Sequence, residues 1–432
     1  MQPGARLQAA IEILSEIRDR GRPASVALAD WGRAHRFAGS GDRAWIGNLV
    51  YDSMRRKGSL AFLMDSDEPR AVALAALRRS WDLTTDDIAA LCSGDLHAPE
   101  PLTAAEVGGL GRTDISNAPD HIQGDYPEWL STSFAAAFGA RAVEEGQALA
   151  RRAPVDLRVN TLKATRDKVL KAFDRHHAVE TPWSPIGVRL PPREGGARNP
   201  NVEADPAHGK GWFEVQDEGS QIAALIADAQ PRMQVADICA GSGGKTLALA
   251  AHMQNTGQIY AYDADATRFR PIFERLKRAG ARNVQTLQPG DAAGLDALAG
   301  HMDLVLVDAP CTGTGVWRRK PDAKWRLSPA QFDERVATQS ALLDIAANLL
   351  KPGGTLAYVT CSVLPEENQR QIEAFLARTP GFEAVDVARR ARDVLGETIE
   401  TAYAGEGYGL LLTPARHTTD GFFIALLVKN AP

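Results

Sequence analysis

Cysteine is scarce in this chain, and what there is does not pair by spacing. Cys92, Cys239, Cys311 and Cys361 form no C-x-x-C pair, and they are too few for a disulfide framework. They read as reduced thiols, and no metal centre is expected. Long apolar runs are missing as well: no stretch approaches eighteen consecutive apolar residues, and the opening MQPGARLQAAIEIL is charged and amphipathic, without the apolar segment of a secretory signal. The expected location is the cytoplasm, with no membrane partner. An excess of positive charge is also absent. With 49 Lys and Arg against 54 Asp and Glu, the net charge of −5 excludes a surface coated in basic residues, so any nucleic-acid contact must rest on local patches. There is no internal repeat and no low-complexity tract.

What is present is 432 residues, 44% hydrophobic and 24% charged, enough for two or three domains with real cores. Residues 1–125 read as all-helical. Leu7, Ala10, Ile11, Leu14 and Ile17 follow one helical face, and Trp45, Ile46, Leu49, Val50 and Met54 follow another behind Asp42 as an N-cap. Alanine-rich helices continue over Arg70–Leu83 and Asp86–Cys92, and the stretch from Leu91 to Tyr126, rich in Gly, Pro, Asp and Ser, reads as loops. Residues 126–215 open on a helix from Pro127 to about Arg152, followed by a small α+β unit in which VDLRVNTL, GVRLP and GWFEVQ are short strands. From Gln216 to the end, apolar strands alternate with helices: VADIC, GQIYAYD, NVQTLQPGD, DLVLVDAP, TLAYVTCS and FFIALLVK. That rhythm predicts an α/β fold with a doubly wound, mostly parallel, Rossmann-like sheet, which binds ligands at the carboxyl ends of its strands.

DICAGSGGKT, from Asp237, breaks such a strand into a glycine-rich turn and a helix. A P-loop needs glycine where Cys239 stands, and a dinucleotide fingerprint finds only its first half in Gly241 and Gly243. An S-adenosylmethionine loop needs the glycine turn and an acid ending the next strand for the ribose hydroxyls, and Asp263 answers that demand. Asp291, after the third strand, stands where an acid meets the adenine. Either acid alone serves as readily as a helix cap, but their recurrence at strand ends favours the cofactor. Lys245 either neutralises the methionine carboxylate or merely begins the helix.

VDAPCTGTG and YVTCSVLPEEN each place a thiol just past a strand. In the usual methyltransferase order these strands are neighbours, so Cys311 and Cys361 would face each other. Methylation at carbon 5 of a pyrimidine needs a thiol, because a thiolate adding at carbon 6 makes carbon 5 nucleophilic. It also needs a later base and an acid on the pyrimidine edge. Cys361, Cys311 and Asp308 supply that set. The alternative, that both thiols are small buried hydrophobes, is the commonest fate of a free cysteine. The thiols of Cys239, in the glycine turn, and Cys92, on an apolar helix face, are assigned there. Spacing leaves open which thiol attacks.

DICAGSGGKT, VDAPCTGTG, RRKPDAKW, VTCSVLPEEN and HTTDGFF resemble the successive motifs of the RsmB (Sun/Fmu) family of RNA cytosine-5 methyltransferases. LRVNTLK and VQDEGSQ resemble its upstream motifs, and DRAWIGNLVYDSMRR its NusB-like RNA-binding domain. The resemblance implies S-adenosylmethionine held by Cys239, Ala240, Gly241, Ser242, Gly243, Gly244, Lys245, Asp263, Arg268, Asp291 and Asp308. It implies Cys361 as nucleophile, Cys311 assisting product release, and RNA, foremost 16S ribosomal RNA, as substrate. Ser242 stands where the family usually has proline. A tRNA or other RNA substrate, or a non-catalytic RNA-binding factor, is the rival reading.

VWRRKPDAKWR interleaves two tryptophans with five basic residues just after the catalytic loop. Trp317, Arg318, Arg319, Lys320 and Lys324 are therefore expected to stack on bases and take phosphates, against the alternative of tryptophans tucked into the core. Arg151, Arg152, Arg158, Lys163, Arg166, Lys168 and Lys171 form a second basic cluster, with helix-surface charge as the plainer explanation.

Overall fold

The computed structural model describes residues 1–405 and 407–431. Its N-terminal part is helical throughout, with helices Pro3–Arg20, Ala24–Ala34, Ser40–Arg55, Lys57–Met64, Pro69–Ser80 and Thr85–Leu91. Leu7, Ile13, Leu49, Val72, Leu74 and Ile88 pack into one core. Asp42 is not the N-cap of its helix: Gly39 precedes the helix, and Asp42, in the first turn, accepts the Gly39 N–H at 3.2 Å. A carboxylate there still complements the positive helix end. The stretch read as loops holds helices Ala104–Gly111 and Asp120–Gln123. The first begins at a capping box in which Thr103 accepts the Glu106 N–H, a T-x-x-E signal legible in TAAE.

The expected helix from Pro127 to Arg152 is broken. It runs as Ser131–Phe138 and Ala142–Leu149, parted at Gly139, whose φ of +56° a helix does not admit. Strands β1 (Val155–Val159), β2 (Val179–Glu180), β3 (Gly187–Leu190) and β4 (Phe213–Val215) then form an antiparallel sheet in the order β2-β3-β1-β4.

The C-terminal sheet contains β5 (Gln234–Asp237), β6 (Gln258–Ala261), β7 (Val284–Thr286), β8 (Met302–Asp308), β9 (Leu350–Thr360), β10 (Phe382–Ala384), β11 (Leu410–Leu412) and β12 (Phe422–Lys429). Its order is β10-β12-β9-β8-β5-β6-β7, with β11 paired to β12. From β7 to β9 the strands are parallel, whereas β12 runs antiparallel to β9. Alternate residues serve opposite faces, as the two-residue strand period requires. Val305, Val307 and Tyr358 pack towards Leu343 and Ala346, while Leu304, Leu306 and Val359 pack towards Ile222 and Ile226. Both faces are dry, which is why these strands read as continuous apolar runs. Among the described residues, no helix is long and apolar enough to cross a membrane.

Candidate active site

The reversal of strand order falls between β5 and β8, and there the glycine loop emerges. At Gly243 φ is +86°, and a Cβ would lie 2.6 Å from the Ile272 side chain, so the turn can pack onto the neighbouring helix only as glycine. Ser242 lacks the rigidity of the family's usual proline, but it is held from outside. Arg275 donates to its carbonyl at 2.9 Å and to its hydroxyl at 2.6 Å, and is itself paired with Glu214 at 2.8 Å.

The loop borders a cavity of about 380 Å³ lined by Cys239 to Ser242, Gly244, Lys245, Arg268, Arg275 and Asp308 on this sheet, and by Gln216 and Ser220 beyond β4. Lys245 is buried and pairs with Asp308 at 2.7 Å across it. Asp263 acts behind the loop, accepting the Gly241 N–H at 2.8 Å. Asp291 takes the competing role: it caps helix Ala292–Asp296 through Gly294 N–H at 2.8 Å, and it does not line the cavity. Asp237, wholly buried, has one oxygen bonded to Thr246 at 2.7 Å and the other without a partner. Burial first, and then Asp308, push its carboxyl up to about 7. Gln216 was not among the expected cofactor residues, although it sits in the quoted VQDEGSQ. Arg158 donates to both Gln216 and the Gly244 carbonyl.

A donor carrying a carboxylate, an ammonium, a sulfonium and a ribose diol needs cations, anions and a glycine cradle together, and this cavity holds all three. Lys245 and Arg268 suit the carboxylate, Asp308 the cationic end, and the Gly241 to Gly244 turn permits close approach.

β8 and β9 are hydrogen-bonded neighbours in register, Asp308 beside Val359. Their continuing loops bring Cys311 Sγ to 3.3 Å from Cys361 Sγ, both half-buried. The Cys311 thiol is pushed well up, by its hydrogen bond to Cys361 first and by burial second. A raised Cys311 keeps its proton more tightly than a free thiol does, and either sulfur can be the donor in the bond between them.

The carboxylate that shapes this site, Glu367, went unassigned, though it stands in VTCSVLPEEN. It accepts the Thr312 N–H at 2.9 Å, the Thr312 hydroxyl at 2.6 Å and the Gln339 amide at 3.0 Å. Gln339 also reaches the Pro310 carbonyl at 2.9 Å. Both sides of Cys311 are thus tied to one buried acid. Gly315 closes the loop: its N–H donates to the Cys361 carbonyl at 3.0 Å and its carbonyl accepts the Gly421 N–H at 2.8 Å. A Cβ on Gly315 would lie 2.1 Å from the Gly421 carbonyl oxygen.

The expected RNA face is largely corrected. Trp317 is 1% exposed and stacks on Phe134, with ring centroids 5.9 Å apart. Lys324 is buried between the carbonyls of Arg55 and Asp125, at 2.6 Å from each, and burial pushes it down to about 8. Arg318 and Arg319 are held by Asp217 and Asp420. Only Lys320 of the five is exposed. Such a stretch turns inward because its neighbours offer what buried polar groups require, a partner for each donor. The second basic cluster disperses too: Arg152 pairs with Asp52, Arg166 with Glu180, Lys163 with the Arg278 carbonyl, and Lys168 lies over Trp212.

A strand order reversing at β5, with an antiparallel β12 inserted beside β9 and a glycine loop after β5, defines a class I methyltransferase dependent on S-adenosylmethionine. The particular family follows from comparison. Residues 224–428 match the model of the 16S rRNA methyltransferase RsmB/F family, and residues 126–193 that of the RsmF/B-like ferredoxin-like domain. The probable ribosomal RNA small subunit methyltransferase B of Synechocystis sp. is 31% identical, over 98% of this chain and 99% of its own. The ribosomal RNA small subunit methyltransferase B of Shewanella oneidensis is 33% identical, over 73% and 70% respectively. Among solved structures, PH0851 matches with a TM-score of 0.75 at 26% identity over 99% of both chains. A methyltransferase homologue from Pyrococcus horikoshii matches with 0.59 at 28%, over 73% of this chain and all of that one. The chain belongs to the RsmB/F family.

Proposed function

We propose that this protein methylates carbon 5 of a cytosine in small-subunit ribosomal RNA through a covalent adduct on Cys361. The observation that carries the reading is the thiol pair, 3.3 Å apart beyond two adjacent strands, beside an acid that also borders the cofactor cavity. The names of the relatives support ribosomal RNA as the substrate class.

When bound, S-adenosylmethionine supplies an electrophilic methyl group. Lys245 and the Gly241 to Gly244 turn hold its amino-acid end, and Asp263 positions that turn. The Cys361 thiolate adds to carbon 6 of the cytosine, and the electron pair displaced from the 5,6 double bond makes carbon 5 nucleophilic. Asp308 holds the pyrimidine edge. After methylation a base removes the carbon-5 proton, the double bond re-forms and the sulfur–carbon bond breaks, returning its electron pair to Cys361. Cys311, hydrogen-bonded to that sulfur, assists the release.

Cys361→Ala is expected to abolish methyl transfer while leaving cofactor binding nearly intact, and full activity would sink the assignment. Cys311→Ala is expected to trap a protein–RNA adduct visible as a shifted band on a denaturing gel. No adduct with normal turnover would make Cys311 structural.

A further inference from the structure

With the post-catalytic loop turned inward, the chain needs another place to hold an RNA backbone. A cavity of about 340 Å³ opens where the helical part meets the antiparallel sheet, lined by Arg55, Arg56, Arg79, Arg151, Arg152 and Arg193. Asp52 and Glu194 are its only acids among the described residues. Asp52 is consumed by Arg55 at 2.8 Å and by the Arg152 Nε at 3.0 Å, which together make the floor. Among the described residues, Arg56, Arg79, Arg151 and Arg193 have no acid within ion-pair distance. They come from four separate stretches of a chain whose net charge is negative. Like charges gathered from so far apart repel one another unless an anion sits among them, and the planar guanidinium fork matches a phosphate.

The walls are fixed before any ligand arrives. Arg152 also donates to the carbonyls of Arg193 at 2.6 Å and Gly195 at 2.7 Å, and Asn48 holds the Gly195 and Ala197 carbonyls at 2.9 and 3.0 Å. The floor is bolted to the post-catalytic loop. Arg55 donates to the Arg318 carbonyl at 2.9 Å, and Lys324 of the same loop donates to the Arg55 carbonyl. The exposed Lys320 lies between those two contacts in sequence.

We infer that this arginine-lined cavity is a phosphodiester-binding site that holds the RNA backbone away from the target base. The inference rests on the reading of the protein as an RNA methyltransferase. Its test is binding of the full chain to an unmodified small-subunit ribosomal RNA transcript over a series of salt concentrations. Against wild type, Arg79→Ala/Arg151→Ala/Arg193→Ala is expected to weaken binding by about tenfold or more and to lower the slope of log affinity against log salt by about two. Cofactor affinity and melting temperature stay as they were. A control, Arg20→Ala/Arg36→Ala/Arg282→Ala, removes as many exposed positive charges elsewhere and should change binding by less than about twofold. Unchanged affinity and slope in the first variant, or an equal loss in the control, overturns the site. A wild-type protein that binds the transcript but transfers no methyl group would instead overturn the proposed reaction.

Discussion

Cys361 and Cys311 are the same residue type, each just past the end of a strand, and their neighbours set them apart. Cys311 lies beside Glu367, which adds to the forces holding its proton, after the bond to Cys361 and burial. Glu367 itself is buried, and burial raises its carboxyl, while Thr312 and Gln339 pull it back. Its work is acceptance of three donors, and an amide can accept at only one of its two ends. Glu367→Gln is therefore expected to leave a Thr312 donor unmatched, a cost of about 1–3 kcal/mol. Displacement of the Cys311 loop should lower kcat by about 10- to 100-fold. Steady-state kinetics beside a thermal melt would check this, and an unchanged kcat would reduce Glu367 to a packing role. The VLPEEN motif was legible in the sequence, but which thiol loop its second acid grips was not, since Thr312 and Glu367 meet only when β8 and β9 pair.

At the scale of elements, helix Ala142–Leu149 carries a costly residue. Glu145 is 1% exposed, one of its oxygens has no partner, and Arg141 approaches no closer than 3.7 Å. Burial pushes its carboxyl from the ordinary 4.5 up to about 7. A raised acid favours folding while protonated, so its contribution is full below about pH 4.5 and is lost as pH rises through about 7. At pH 8 the buried charge costs about 3 kcal/mol, taking ~1.4 kcal/mol per pH unit. Glu145→Gln, which resembles the protonated form, is expected to raise the urea midpoint at pH 8 and to leave it unchanged at pH 4.5. Equal gains at both values would point to packing instead of charge.

Element existence followed the sequence pattern more closely than element ends did. Helix Ile272–Ala279 starts one residue after Pro271, which parts it from the short helix Ala266–Phe269, because proline has no N–H to donate. β10 and β11, three residues each, and helix Val387–Leu395 lacked a long enough repeat to be read.

On the scale of the whole molecule, RRKPDAKW fastens three parts together. Lys324 and Trp325 reach the helical part, where Trp325 donates to the Met54 carbonyl at 2.6 Å, and Arg319 reaches the Pro154 carbonyl at 2.9 Å before β1. Asp217 and Asp420, from VQDEGSQ and HTTDGFF, hold the same arginines. Three motifs distant in sequence therefore form one buried ionic cluster, in which desolvation and Asp420 push Asp217 up to about 7. Lys324→Met is expected to leave the Arg55 and Asp125 carbonyls without their donor, costing about 2–4 kcal/mol. Limited proteolysis should then release the helical part earlier, with cofactor affinity retained. Unaltered proteolysis would mean that the lysine does not fasten the parts.

The amino-acid sequence by itself determined the alternation of strands and helices, the glycine loop, both thiols and the family, because these rest on residue type and short-range spacing. Only the tertiary structure decided where the charges went. A run of tryptophans and basic residues has the same composition whether it faces solvent or buried carbonyls, and Asp125, Asp217 and Asp420 come from elsewhere in the chain. The arginine-lined cavity is the converse case. Arg79, Arg151 and Arg193 form no patch in the sequence, and they acquire a common field only because the fold closes the helical part onto the antiparallel sheet.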